Sequence, residues 1–315
     1  MTSYLKQYPP FFQLVVFSGI FLGCFVIYNF FFLGWAMPQV TGITAFDLQN
    51  GDLHNPHFVE VMKWMQLIYS LFCFLVPALL FLYLSDPHPL EYGDLRHRFR
   101  LVAGLLSIVI LVCAMPAVGV LSDWNQQIHF GSLDESLRQL NQKATEMTEA
   151  MLRMQGWGSL LFNLLLIGII PAIAEEMFFR GVIQRLLVRM TRRGWIGILL
   201  ASLIFSLLHG EMLGFFPRAA LGVILGLIYY ISGNLWYSIV AHFINNGTQV
   251  VLLFLFQKHY IAFDISQDQP TPALAGLVSS VIVIGLFVIF WKFIPRKTIP
   301  GIFGRQTDII EPPIT

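Results

Sequence analysis

The sequence is short of charge. Of its 315 residues only 12% are Asp, Glu, Lys or Arg, about half the share in a soluble globular protein. An ordinary solvated surface is therefore excluded. The charges nearly cancel, 19 basic against 18 acidic, so no polyanionic partner is implied and no nucleic acid is expected. Cysteine is scarce as well. Cys24, Cys73 and Cys113 each lie in an apolar run and none forms a CxxC pair, so neither a disulfide framework nor a thiolate metal site is indicated. HExxH, the usual helix-borne zinc motif, is missing. No long repeat or low-complexity tract is present. A cleavable leader is also not expected. The first apolar run, from about Phe11 to Met37, exceeds the roughly 7–15 residues of a signal core and lacks a small-residue cleavage site. It reads as an uncleaved membrane helix.

What is plentiful is apolar. Hydrophobic residues make up 56% of the chain, including 29 Phe, 10 Tyr and 7 Trp, and mean hydropathy is +0.69. That suits a lipid-facing surface with interfacial rings. A bilayer core of ~30 Å takes about 20 apolar residues in a helix, and eight such runs are found. They cover about 11–36, 64–85, 101–121, Trp157 to about Arg189, 195–213, 217–232, 235–256 and 273–294, the fourth long and the sixth short. The expected fold is all-α, a polytopic membrane bundle of about eight helices.

Loop charge orients the bundle. Arg96, Arg98 and Arg100 follow the second run. Arg185, Arg189, Arg192 and Arg193 follow the fourth, and Lys292, Arg296, Lys297 and Arg305 follow the eighth. The intervening segments 38–62, 209–216 and 257–272 are poor in Lys and Arg. By the positive-inside rule both termini are cytoplasmic, and the cell (inner) membrane of a bacterium is the expected location. Residues 123–156 then lie outside. There Ser132 and Glu135 have capping-box spacing. Leu137, Leu140, Ala144, Met147, Met151 and Met154 recur at threes and fours, one apolar stripe on a helix. Such a helix lies on the membrane, on its own protein or on a partner. Gly19 with Gly23 and Gly222 with Gly226 have GxxxG spacing, which lets helices approach closely.

Ionisable groups inside membrane segments are costly and mark functional candidates. Here they are few. The fourth run contains Glu175, Glu176 and Arg180, the fifth His209 behind Phe205, and the seventh His242, Asn245 and Asn246. At ~1.5 Å rise per residue, Glu175 lies ~15 Å from Arg185, His209 ~20 Å from Trp195, and His242 and Asn246 ~10–17 Å from Leu235. These depths are similar, towards the bilayer middle. Glu176 and Arg180, four apart, share a face and can pair. His242 and Asn246 share a face likewise. Pro171, four before Glu175, removes a backbone donor and bends the helix.

The residue types suggest chemistry. A carboxylate in a low-dielectric site is a stronger base, and His209 can share the water it binds. His242 and Asn246 offer N–H donors to a developing oxyanion. Each motif also has a structural reading: an ion pair for Glu176 and Arg180, an interfacial position for His209, and helix–helix hydrogen bonds for His242 and Asn246. Buried Glu and His serve transport paths as well, so a scaffold or transporter stays open beside an enzyme.

In series, Glu175-Glu176 with Arg180, Phe205 with His209, and His242 with Asn246 read EExxxR, FxxxH and HxxxN. This pattern resembles the CPBP family, the CAAX-type proteases and bacteriocin-processing (Abi) proteins, over about residues 157–256. The resemblance implies an intramembrane glutamate endopeptidase acting on a membrane-associated protein or peptide. Glu175 and His209 would activate water, and His242 and Asn246 would stabilise the oxyanion. Glu176 and Arg180 would position the site, and Phe205 would pack. The chain then divides into N-terminal helices (1–122), an external helix with loops (123–156), a protease-type core (157–256), and a last helix with a cytoplasmic tail (257–315). The site falls between the fourth, fifth and seventh helices. No cofactor is required. A metalloenzyme holding zinc or another divalent metal on Glu175, His209 and His242 is the alternative.

Overall fold

The computed structural model describes residues 4–262 and 270–294, with the side chains of residues 49 and 50 left aside. The tail charges Arg296, Lys297 and Arg305 lie outside the described residues. Among the described residues there are helices and no strands. In chain order these are α1 (Pro10–Thr41), α2 (Ala45–Asn50), α3 (Pro56–Ser85), α4 (Pro89–Tyr92), α5 (Leu101–Gln126) and α6 (Asp134–Met151). Then follow α7 (Trp157–Thr191), α8 (Gly194–Leu208), α9 (Phe215–Ser232), α10 (Leu235–Gln257) and α11 (Ala273–Phe293).

Seven of these are long and apolar enough to cross a bilayer, and α8 is a shorter apolar helix. The protein is an integral, multi-pass membrane protein. The expected lengths of the fifth and sixth runs are reversed. The segment ending in α9 spans Met212–Ser232, 21 residues, whereas α8 has only 15. The reason is Gly210. Its φ of +74° ends α8, with its N–H returning to the Leu207 carbonyl, a left-handed stop that glycine takes without steric cost. Fifteen residues rise only ~22 Å against a ~30 Å core. α8 is therefore about 8 Å shorter than a full crossing.

Helices α7 to α10 form the centre. α8 runs along α9, α10 packs on α7, α1 and α3 flank α7, and α5 with α11 covers α9 and α10. The core beside α7 is aromatic: Phe178 meets Phe17 at 4.8 Å and Phe74 at 5.1 Å between centroids, and Phe179 meets Phe205 at 5.0 Å. The two GxxxG pairs differ. A Cβ on Gly222 would come 2.9 Å from Ser202 and one on Gly226 2.7 Å from Gln184, whereas Gly19 and Gly23 face open space.

The helix α6 packs on α3 and on the turn before α9. Of its stripe, Leu137, Ala144, Met147 and Met151 are half-buried, Met154 just past the helix is buried, and Leu140 is the exception at 65% exposure. It lies on its own protein. The expected capping box does not form. Ser132 sits in a short 3-10 turn, and Leu133 occupies the cap without a side-chain bond. Asp134 takes over instead, accepting from the Phe130 N–H and pairing with Arg138 at 2.9 Å, while Glu135 accepts from Gln139.

Candidate active site

The site is built on a distorted part of α7. Two π-helical stretches, Leu164–Ile169 and Met177–Gln184, flank the α-helical Ile170–Glu176 that carries both glutamates. Such bulges are frequent at functional sites. Pro171 supplies one cause. In a regular α-helix the Ile167 carbonyl would accept from residue 171, and proline has no hydrogen to give. That carbonyl accepts instead from Asn246 Nδ2 at 3.2 Å. The approach is close because Gly168 and Gly247 face each other: a Cβ on Gly168 would lie 3.7 Å from the Gly247 Cα.

All the sequence candidates meet here. Glu176 is fully buried and Arg180 2% exposed, with Nη1 3.1 Å from the carboxylate. Arg180 Nη2 also donates to the Gly222 carbonyl at 3.2 Å, and its guanidinium lies 4.9 Å from the Phe205 ring centre. Gln184, one turn on, donates to the Gly226 carbonyl at 3.0 Å. The second GxxxG pair is thus where α7 and α8 reach the backbone of α9.

Glu176 Oε1 also lies 2.9 Å from His242 Nδ1. A carboxylate already facing Arg180 can only accept there, so Nδ1 carries the hydrogen. His209 is held similarly: its Nδ1 is 2.7 Å from the Phe205 carbonyl, which again can only accept. Phe205 thus positions His209 with its backbone and, through ring contacts of 4.6 Å and 6.3 Å, packs against both histidines. Both imidazoles consequently turn Nε2 to the same atom. His209 Nε2 and His242 Nε2 are each 3.9 Å from Glu175 Oε2. That is too long for direct hydrogen bonds and suits one bridging water.

These groups line a cavity of about 240 Å³ together with Asn245, Asn246, Gln249 and Arg218. Asn246 is less free than its spacing suggests. One Nδ2 hydrogen is on Ile167 and its Oδ1 accepts from Asn245 at 3.0 Å, leaving one hydrogen for another partner. Sequence reasoning missed Arg218, Gln249 and the residues that shape the wall beside His209. Arg218 pairs with Glu211. Buried Asn125 donates to the Met212 carbonyl at 3.0 Å and accepts from the Phe216 N–H at 2.8 Å, and Ser206 donates to the Phe215 carbonyl at 2.6 Å. A lone Asn near the end of an apolar run was the available signal.

For zinc, two ligands with ~2.0–2.1 Å bonds in a tetrahedral site stand about 3.3 Å apart. Both Nε2–Oε2 separations are wider, and among the described residues no three His, Cys, Asp or Glu side chains form a metal-holding group. The arrangement does not fit a bound zinc as it stands.

Residues 157–248 match the family model described as type II CAAX prenyl endopeptidase Rce1-like. The CPBP-type resemblance carried by the three motifs thus holds for the segment from α7 into α10. The chain is also 38% identical over 86 residues to the uncharacterized protein YpbD of Bacillus subtilis (strain 168). That stretch covers 26% of this chain, and the chain spans about two-fifths of that relative's length, 41%. No solved structure matches the chain significantly.

Proposed function

We propose that the protein is an intramembrane endopeptidase that hydrolyses a peptide bond of a membrane-associated protein or peptide. The observation that carries this reading is the convergence of two locked imidazoles on Glu175 Oε2. Water held between Glu175 and His209 gives a proton to the Glu175 carboxylate, and its oxygen adds to the scissile carbonyl carbon. The carbonyl oxygen becomes an oxyanion. His242, when doubly protonated, keeps Nδ1–H on Glu176 and donates Nε2–H to that oxygen, with the remaining Nδ2 hydrogen of Asn246 as second donor. The C–N bond then breaks, and the proton on Glu175 passes to the leaving nitrogen. Arg180 balances Glu176 throughout and touches no reacting atom.

The short α8 supports a supply of water. A helix shorter than a full crossing leaves room for water to enter from its 209–214 end, on the face opposite the arginine-rich loops. That face is external if the arginines and both termini are cytoplasmic.

The test uses the full chain in proteoliposomes with membrane-anchored peptides, prenylated and not, and fragments identified by mass spectrometry. Cleavage that persists with 1,10-phenanthroline supports the metal-free reading. Chelator-abolished cleavage restored by zinc favours the metal alternative, and the absence of fragments from any peptide favours a scaffold or transporter.

A further inference from the structure

A cavity larger than the candidate active site lies elsewhere in the protein. It holds about 700 Å³ at the arginine-rich face, between the start of α5, the end of α11 and the α9–α10 turn. We propose that it binds the headgroup of an anionic phospholipid, with the acyl chains lying along α5 and α11.

Three independent features meet there. The first is unpartnered positive charge. Arg98 and Arg100 line the cavity, and neither guanidinium has a hydrogen bond, ion pair or ring contact among the described residues. Their positions are nonetheless set by the backbone. The Arg98 carbonyl accepts from Asn234 Nδ2 at 3.4 Å, and the Arg100 N–H donates to the Tyr237 hydroxyl at 3.0 Å. Trp236 Nε1 holds the Leu95 carbonyl at 2.8 Å. Asp94, the one acid on the wall among the described residues, is already engaged by Arg185, by the Tyr229 hydroxyl at 2.6 Å and by His97 at 3.1 Å. It adds little repulsion to an incoming anion.

The second feature is the uncapped start of α5. Arg100 occupies the cap position without a side-chain bond, and the first helical bond runs from Gly104 N to the Arg100 carbonyl. The N–H groups of residues 101–103 therefore face the cavity end with the positive pole of the helix, an arrangement that favours phosphate. The third is the apolar flank: Leu101 is 68%, Val102 65% and Phe293 72% exposed along the same opening. A soluble phosphate has no use for that surface, and acyl chains do. Basic pockets between membrane helices at the cytoplasmic boundary are suited to anionic headgroups. Ser232, Gly233 and Asn234 form the opposite wall, so an occupant would brace the turn from which α10 carries His242 towards Glu175.

The experiment titrates phosphatidylglycerol into the detergent-purified full chain and reads bound lipid by native mass spectrometry, with phosphatidylcholine as the neutral comparison. Wild type should retain phosphatidylglycerol preferentially. Arg98→Ala with Arg100→Ala should weaken it about 25-fold, roughly fivefold for each cation at a membrane surface. The Arg98→Lys, Arg100→Lys pair should keep most of the preference, which guards against a folding defect. Arg192→Ala with Arg193→Ala, on the same face away from the cavity, should leave it unchanged. Equal retention of the two lipids, or equal weakening by the Arg192 and Arg193 changes, would overturn the pocket. Full competition by glycerol phosphate would identify a free phosphate site and overturn the lipid.

Discussion

Arg180→Met separates a structural ion pair from an incidental one. The guanidinium is 2% exposed, 3.1 Å from a carboxylate with no exposure, and bonded to the Gly222 carbonyl. Methionine fills similar volume but leaves the Glu176 carboxylate buried without the guanidinium, with the His242 Nδ1–H hydrogen bond still in place. Breaking a buried pair on one side costs about 3–5 kcal/mol, because the survivor stays uncompensated. That equals about 2–3.5 powers of ten in the folding equilibrium. Removing both charges together, Glu176→Gln with Arg180→Met, leaves no stranded ion. The amide oxygen still accepts His242 Nδ1–H. The double variant should therefore melt above the single one, the reverse of additivity. The assay is thermal unfolding of the full chain in one detergent, read as the order wild type, double, single. A single variant as stable as wild type, or a double as low as the two singles summed, would refute the reasoning.

Gly222→Ala should destabilise by about 1–3 kcal/mol, since its Cβ would sit 2.9 Å from the Ser202 Cβ and 3.1 Å from its Cα. Gly19→Ala and Gly23→Ala, with nothing within 4 Å, should be neutral or slightly stabilising in the same melts. Just past α3, burial raises the carboxyl of Asp86, but the Lys6 ion pair at 2.7 Å and the His88 N–H outweigh it and hold the group below its ordinary range. Its contribution is thus present above the unfolded-state value near ~3.9 and is lost as pH falls through the folded value. Asp86→Asn should lower stability at pH 7, with the difference from wild type vanishing in strong acid; a pH-independent difference would contradict this. For orientation, Arg193→Cys on a background without Cys24, Cys73 and Cys113 should label from the cytoplasm and Lys143→Cys from outside, and the opposite pattern would invert the topology.

Much of the candidate site was readable because hydrocarbon makes polar groups conspicuous. Glu175, Glu176, Arg180, His209 and His242 stood out in apolar runs, and similar depths by residue count placed them together. The aim of each imidazole was not readable. It depends on the Phe205 carbonyl and on Glu176 taking one nitrogen apiece, which are contacts between turns and between helices. Asn246 shows the same limit: its tie to Ile167 follows from the donor missing at Pro171, but only the Gly168–Gly247 crossing brings the two within reach. The length of α8 is hard to read from sequence because apolar Met212 and Leu213 resume directly after His209, Gly210 and Glu211, so the run continues past the point where the backbone turns. Ser132 had the spacing of a cap, yet it falls inside a 3-10 turn that moves the cap to Leu133, and Asp134 ties that turn down by accepting from the Phe130 N–H.

The most direct test of the central claim compares wild type, Glu175→Gln and Glu176→Gln, each reconstituted at matched folded yield, on a membrane-anchored peptide that wild type cleaves. The account predicts no fragments from Glu175→Gln with peptide binding retained, since the substitution keeps the shape and removes the base. Glu176→Gln should keep measurable cleavage at a reduced rate. Undiminished cleavage by Glu175→Gln would contradict the account and place the water-activating base elsewhere.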